Sequence, residues 1–152
     1  MEQVLALERA KDPERRNIPL VVRMKLDLAG AKIRLMDWRA FSDSDRQSLI
    51  DTPFEGPVGE APFFRALSQA LESANRGAMP RIAPAAPPIT LWLNQEEPSE
   101  ISEFKQAARV DAKWADLSCF ERYLLCHAKN LEDLELLRTI ALDTNSLTVQ
   151  EV

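Results

Sequence analysis

Two stretches of the chain have the same order of apolar and polar positions. Each reads W-x-x-[FL]-S-x-x-[DE]-R-x-x-L, once from Trp38 to Leu49 and once from Trp114 to Leu125. A Ser followed three positions later by Asp or Glu, ahead of apolar residues, is the capping box of a helix N-terminus. The pattern therefore predicts capped helices near residues 43–51 and 119–129, each approached by a loop that carries the Trp.

The segment ahead of the second Trp has a clear helical stripe, whereas the segment ahead of the first is ambiguous. Apolar residues recur at helical spacing from Ile101 to Ala108. Residues 20–35 alternate apolar and polar positions, which is also the pattern of a β-hairpin. Pro19 suits a first helical turn and Gly30 suits a helix end. Because the second copy is helical, we expect a helix here as well, with a β-hairpin over 20–35 as the alternative.

The remaining elements follow from the same kind of pattern. Phenylalanines and leucines at helical spacing predict a linking helix over residues 60–77, with Gly77 as its stop. Five of the ten prolines fall in residues 78–98, which excludes a regular helix and predicts an extended connector. A last helix is predicted over residues 130–143, followed by a frayed tail over residues 144–152.

Together these elements predict an all-α fold, a small helical bundle in one domain over residues 1–152. After an N-terminal segment, residues 1–17, it contains two related helix-loop-helix units, residues 18–55 and 99–129, joined by the linking helix and the proline-rich connector. A chain of 152 residues is long enough to form a hydrophobic core without a metal or a disulfide. The repeated pattern is typical of an internal duplication.

Charge and hydropathy exclude two classes of partner. The net charge is −5, and no segment supplies the basic stripe that phosphate backbones require, so nucleic acid is not expected. No apolar run approaches the roughly 20 residues of a membrane helix. The N-terminal residues have scattered charges and no apolar core like that of a secretory signal, so we expect a cytoplasmic protein.

The residues that usually carry catalysis are scarce. His127 is the single histidine, which leaves no His pair for a metal and no spare His for a triad. Cys119 and Cys126 are two turns apart on one predicted helix, too far for a disulfide or a shared ion, so we expect reduced thiols. The glycines form no phosphate-binding loop. The sequence therefore predicts no enzyme activity, no metal and no cofactor.

The repeated Trp and Arg residues have two interpretations. Arg46 and Arg122 follow the two Trp residues at the same spacing, so each could bind an anion or could stack on its Trp for structural reasons. Trp38, Trp92 and Trp114 could line a pocket between the two helical units. The structural interpretation of the arginines is favoured here.

One stretch resembles a known family. The run IPLVVRMKLDLAGAKIRLMDW, residues 18–38, is similar to the signature of the nitrate reductase-associated protein family, small bacterial proteins found alongside assimilatory nitrate reductase. The pair Trp92-Leu93 and the second copy, from Trp114 to Leu125, resemble the C-terminal half of that family. The similarity covers most of residues 18–128.

The resemblance implies a non-enzymatic accessory or maturation factor. Its partner would be a molybdenum-dependent nitrate reductase or a protein of molybdenum-cofactor biosynthesis. We expect the contact to use polar residues of the family-specific stretch that have no evident structural role, namely Arg23, Lys25, Asp27 and Lys32. The alternative function is a small-molecule sensor whose pocket is lined by the three Trp residues, Arg46 and Arg122.

Overall fold

The fold is all-α, as the sequence predicts. The computed structural model describes residues 4–52, 56–77, 91–144 and 148–149. The chain forms two compact units, the first with residues 1–4 and 8–85 and the second with residues 5–7 and 86–152. The single-domain organisation stays a prediction, and each unit is described by itself below.

The first unit is a small cluster of helices. Its helices are α1 (Ala6–Lys11, of which the first two residues belong to the second unit), α2 (Leu20–Ala29), α3 (Leu35–Ala40), α4 (Asp43–Asp51) and α5 (Gly56–Ser73). Helix α2 packs against α4 and α5, and α4 packs against α5. The core at this junction contains Val21, Met24, Leu49, Phe63 and Leu67, all fully buried. Helix α1 is a regular element that the sequence predictions leave in the N-terminal segment.

Residues 20–29 are helical, so the β-hairpin alternative is wrong. The helix ends at Gly30, which adopts the left-handed conformation at φ 67° as predicted. The N–H of Gly30 donates to the carbonyl of Asp27, and the N–H of Ala31 donates to the carbonyl of Leu26. These two bonds are the Schellman motif, which satisfies carbonyls that the helix end would otherwise leave unpaired.

The second unit contains three α-helices and one very short strand pair within its described residues. The elements in chain order are a 3-10 turn (Leu91–Leu93), α6 (Ser99–Ala108), β1 (Val110–Asp111), a 3-10 turn (Trp114–Asp116), α7 (Cys119–Asn130), α8 (Leu134–Asp143) and β2 (Thr148–Val149). Helix α7 packs against α6, α8 and the first 3-10 turn. The core includes Trp92, Ile101, Leu124, Leu137 and Ile140.

Both predicted helix caps are confirmed. The Ser42 hydroxyl accepts from the Asp45 N–H at 3.1 Å, and the Ser118 hydroxyl accepts from the Glu121 N–H at 3.1 Å. The Glu121 carboxylate accepts from the Ser118 N–H at 2.8 Å, which completes that capping box. The approach to each cap differs from the prediction, because it is a helical turn and not a loop: α3 contains the first Trp, and a 3-10 turn contains the second.

The linking helix is shifted toward the N-terminus relative to the predicted 60–77. It spans Gly56–Ser73 and includes Pro62. Gly77 is not its stop, because the chain turns at Asn75, which adopts the left-handed conformation at φ 56°. The N–H of Arg76 donates to the Leu71 carbonyl at 2.8 Å, again the Schellman arrangement. Asn tolerates this conformation better than most residues with a side chain, so it can replace glycine at a helix end.

The last part of the chain also differs from prediction. The last helix starts at Leu134, where the Asp133 carboxylate accepts from the Leu136 N–H at 3.0 Å. The tail is not frayed throughout, since Thr148 and Val149 pair antiparallel with β1. An extended segment after α6 offers backbone groups that a second strand can bond. Of the predicted extended connector, residues 78–90 lie outside the described residues, and residues 91–93 form a 3-10 turn.

A buried carboxylate links α3 to the chain after α5. The side chain of Asp37 accepts from the Arg34 backbone N–H at 2.8 Å and from Arg76 Nε at 2.7 Å. Burial acts to raise the pKa of Asp37, but the Arg34 N–H and the Arg76 guanidinium outweigh it and lower that pKa. The carboxylate is therefore ionised in the folded state and joins two segments that are distant in sequence.

We predict that Asp37→Asn lowers the free energy of unfolding by about 2 kcal/mol at pH 7, because the Arg76 guanidinium loses its charged acceptor. A lowered folded-state pKa stabilises the fold above the unfolded value of about 3.9 and ceases to do so as pH falls through the folded pKa. The difference between wild type and Asp37→Asn should thus shrink below about pH 4.

Urea unfolding monitored by circular dichroism at several pH values measures this difference. The control is Asp116→Asn, which removes an exposed carboxylate and should leave the stability at pH 7 unchanged. A constant difference between Asp37→Asn and wild type from pH 7 to pH 2 would contradict the ionic role of Asp37.

Candidate functional site

Three of the four predicted contact residues of the family-specific stretch are accessible. Arg23 and Lys32 are exposed and Asp27 is half-buried. Burial raises the pKa of Asp27, while the nearby charge of Arg23, one turn earlier on α2, partly lowers it. These three side chains, called here the α2 charged surface, give the first unit a polar face with charges of both signs.

Lys25 does not belong to this surface. Its side chain is fully buried, and its ammonium donates to the carbonyls of Leu49, Ile50 and Thr52 at 3.2, 2.7 and 2.6 Å. These carbonyls lie at the C-terminal end of α4, where a cation also offsets the helix dipole. The expectation that Lys25 has no structural role is therefore wrong, because this lysine satisfies the end of another helix.

The first Trp–Arg pair of the repeat joins three segments. The indole N–H of Trp38 donates to the Arg15 carbonyl at 2.7 Å. The Arg46 guanidinium lies 5.8 Å from the Trp38 ring centre and donates to the carbonyls of Trp38 at 3.1 Å, Arg39 at 2.8 Å and Glu14 at 3.4 Å. All three nitrogens of Arg46 are thus used, and its side chain is only 12% exposed.

The second Trp–Arg pair has a corresponding arrangement in the second unit, with an indole N–H and a stacked guanidinium that both donate to backbone carbonyls. The indole N–H of Trp114 donates to the Asn94 carbonyl at 2.8 Å. The Arg122 guanidinium lies 4.9 Å from the Trp114 ring centre and donates to the Trp114 carbonyl at 2.7 and 3.0 Å and to the Asn94 carbonyl at 3.4 Å. Both arginines thus stack on their Trp rings and bond to backbone carbonyls, the arrangement that the structural interpretation predicts.

The three Trp side chains are buried within their own units. Trp38 belongs to the first unit, and Trp92 and Trp114 belong to the second. The Trp92 ring packs edge-on against Tyr123, with ring centres 5.2 Å apart. The pocket that these three residues were expected to line stays a prediction.

A polar cleft in the first unit is the other candidate site. It has a volume of about 660 Å³ and is lined by Pro13, Glu14, Arg15, Arg16, Arg39, Asp43 and Arg46. Asp12 positions the loop at its rim, because its carboxylate accepts from the N–H groups of Arg16 at 3.0 Å and Asn17 at 2.8 Å. The residues that line the cleft thus include four arginines and two acidic residues, and we call this feature the arginine cleft.

The four arginines of the cleft differ in how far their donors are already used. Arg46 is fully bonded, as described above. Arg15 donates to the Gln47 side chain at 2.5 Å, and Arg39 donates through Nε to the Arg16 carbonyl at 3.0 Å. Arg16 is exposed, and among the described residues its guanidinium has no hydrogen-bond or ion-pair partner. Arg16 and the terminal nitrogens of Arg39 are therefore available to a ligand.

Of the residues that line this cleft, only Arg46 is among those singled out from the sequence. The other residues of the cleft could have been found by comparing the two units. Arg15 and Asn94 play the same part as indole acceptors, and each is the fourth residue before a proline that precedes a helix. Arg16 then corresponds to Gln95, and Arg39, directly after Trp38, corresponds to Ala115.

Two further observations bear on function. Within the described residues, no group of three or more His, Cys, Asp or Glu side chains is placed to hold a metal ion. The helices in the part of the chain that the structure describes include none that is both long and apolar enough to cross a membrane.

The family model for the conserved nitrate reductase-associated protein matches residues 5–137. The chain belongs to this family. The matched range extends on both sides beyond the residues that carry the resemblance in the sequence, and it contains the α2 charged surface, the arginine cleft and both Trp–Arg pairs. No curated protein and no solved structure matches the chain significantly.

We predict that Lys25→Met lowers the free energy of unfolding by about 2–4 kcal/mol, because the carbonyls at the end of α4 lose a buried charged donor. Lys32→Met is the matched control: it removes an exposed lysine from the same stretch and should change stability by less than about 0.5 kcal/mol. Chemical unfolding of both variants measures the difference. Equal stability of Lys25→Met and wild type would show that the ammonium is not required at this helix end.

The two thiols of α7 should differ in reactivity. Cys119 is exposed, whereas burial, with a contribution from the Glu100 charge, raises the pKa of Cys126 to about 12. Because the thiolate is the reactive species, iodoacetamide at pH 8 should label Cys119 alone in the folded protein and both thiols in urea. Mass spectrometry identifies the labelled site, and Cys119→Ser should abolish labelling under native conditions. Rapid native labelling of Cys126 would contradict its buried state.

Proposed function

We propose that this protein is a non-enzymatic accessory factor that binds a molybdenum-dependent assimilatory nitrate reductase or a protein that supplies its cofactor. The observation that carries the proposal is the match of residues 5–137 to a family described as associated with nitrate reductase. The proposal includes the cytoplasmic location expected from the sequence.

The contact is proposed to use the α2 charged surface. Arg23 lies on α2, which is fixed to the rest of its unit by the buried Lys25 and by packing against α4 and α5, and Lys32 lies two residues after the Gly30 helix end. A rigid element that presents charged side chains suits recognition of a polar partner, because charge complementarity increases the association rate and selects the partner. Arg23 and Asp27 place a positive and a negative charge within one helical turn. The partner surface would therefore carry a negative and a positive charge opposite them.

The burial of Lys25 changes how this surface should be tested. Replacing Lys25 would disturb the end of α4, so a loss of binding would not distinguish a contact from unfolding. The informative variant is Arg23→Glu/Lys32→Glu, which reverses two exposed charges and leaves Lys25 in place. The charge-matched control is Arg65→Glu/Lys113→Glu, which also reverses two exposed charges.

We predict that the tagged wild-type protein, recovered from its host grown on nitrate, retains nitrate reductase or a molybdenum-cofactor protein that mass spectrometry can identify. The variant Arg23→Glu/Lys32→Glu should retain at least about tenfold less of that partner, because reversed charges at an interface cost several kcal/mol. Both variants should melt within a few degrees of wild type.

Three outcomes would contradict the proposal. Recovery of neither class of partner would remove the accessory function. Equal recovery by wild type and Arg23→Glu/Lys32→Glu would move the contact away from the α2 charged surface. Equal loss in the Arg65→Glu/Lys113→Glu control would show that net charge, and not this surface, determines retention.

A further inference from the structure

The arginine cleft contains more positive charge than the Trp–Arg pair requires. Each unit uses one arginine for its Trp–Arg pair, Arg46 in the first and Arg122 in the second, and in both the guanidinium Nε donates to the Trp carbonyl. The other three arginines of the cleft occupy positions where the second unit has Asn94, Gln95 and Ala115. Since the second unit forms its Trp–Arg pair with those neutral residues, Arg15, Arg16 and Arg39 are not needed for that arrangement.

The available donors converge on one concave surface. The Arg16 guanidinium has no partner among the residues that the structure describes, and Arg39 uses Nε alone, which leaves its terminal nitrogens. The planar fork of a guanidinium matches the oxygens of a phosphate or carboxylate with two parallel hydrogen bonds. Arg39 is fixed through its Nε bond to the Arg16 carbonyl, and the Asp12 carboxylate fixes the Arg16 N–H, so the backbone of Arg16 and the side chain of Arg39 are held in place before any ligand arrives.

The size of the cleft is compatible with a small molecule, and its charges favour an anion. Its volume of about 660 Å³ lies within the range of small-molecule sites, which is roughly 300–1,000 Å³. The carboxylates of Glu14 and Asp43 also line the cleft and repel anions. An oxyanion with high charge and several acceptor atoms is therefore favoured over a weakly charged anion. A phosphate monoester at pH 7 has a charge of about −1.5 to −2 and three acceptor oxygens.

We propose that the arginine cleft binds the phosphate group of a small phosphorylated molecule through Arg16 and Arg39, with Arg15 as a third donor. Arg46 has a structural role and is not assigned to the ligand, because all three of its nitrogens already donate to backbone carbonyls. The proposal does not rest on the accessory function, since it concerns a different surface from the α2 charged surface and needs no protein partner.

The experiment is a calorimetric titration of the full chain at low ionic strength, in a buffer without phosphate, with inorganic phosphate, pyrophosphate and a sugar phosphate as separate ligands. We expect binding of at least one phosphorylated ligand and at least about tenfold weaker binding by Arg16→Gln/Arg39→Ala. This variant introduces the residues found at the corresponding positions of the second unit. Tighter binding of the sugar phosphate than of inorganic phosphate would support a carried phosphate group.

Controls separate the site from general electrostatics and from misfolding. Arg65→Gln/Lys113→Gln removes two exposed positive charges outside the cleft, the same number that Arg16→Gln/Arg39→Ala removes. It should bind the ligand as wild type does. If Arg16→Gln/Arg39→Ala does not fold, Arg16→Gln alone serves, because its side chain has no partner among the described residues. Arg Nε–H resonances that shift on titration would identify the donors directly.

Several outcomes would overturn the proposal. The first is no detectable binding of any phosphorylated ligand at millimolar concentration, and the second is equal affinity of wild type and Arg16→Gln/Arg39→Ala. The third is binding of inorganic phosphate alone, which would reject a phosphate carried by a larger molecule. The fourth is binding of a Glu-rich peptide, lost in Arg16→Gln/Arg39→Ala, without binding of the phosphorylated ligands, which would reassign the cleft to an acidic protein segment.

Discussion

The bond from a buried indole N–H to a backbone carbonyl determines the local architecture of both units. Trp38 and Trp114 each bind the carbonyl of a residue that precedes a proline-capped helix, and each receives a stacked guanidinium. The turn around the Trp brings several backbone carbonyls close together, and a planar group with five N–H donors can bond to more than one of them at once. Loss of the ring would therefore remove both buried apolar area and the support of the arginine.

The parts of the fold that could be predicted are those with a local cause. Ser42 and Ser118 cap helices because their hydroxyls bond to N–H groups three residues later, and Gly30 ends α2 because glycine adopts the left-handed conformation without strain. These interactions involve neighbours in sequence, so the residue pattern contains them. Residues 20–29, by contrast, alternate like a strand, and their assignment to a helix depends on the comparison with the clearly helical second copy.

The parts that could not be predicted depend on contacts between distant residues. Lys25 has the sequence context of an exposed lysine, but it is buried because the end of α4 places backbone carbonyls opposite its ammonium. Lys105 in α6 is similarly buried, donates to the Ala112 carbonyl and pairs with Glu97. A buried lysine is stable only when such partners replace its hydration, and no pattern within one helix shows where those partners will be. The strand formed by Thr148 and Val149 likewise depends on a distant segment, because it pairs with β1.

Comparison of the two units separates residues that the fold requires from residues that it does not. Trp, Ser and Arg recur at equal spacing and make corresponding contacts, so their presence has a sufficient structural explanation in both units. The second unit has neutral residues at the positions that correspond to Arg15, Arg16 and Arg39, although the backbone around these positions is equivalent. Clustered cations repel one another, and the Glu14 and Asp43 carboxylates that line the same cleft offset only part of this charge, so an anionic ligand would be stabilised there. An internal duplication would explain this difference between the units. If the two units share an origin, the Trp–Arg pair is the inherited structural element. The additional arginines would then mark the unit that acquired, or kept, a binding site.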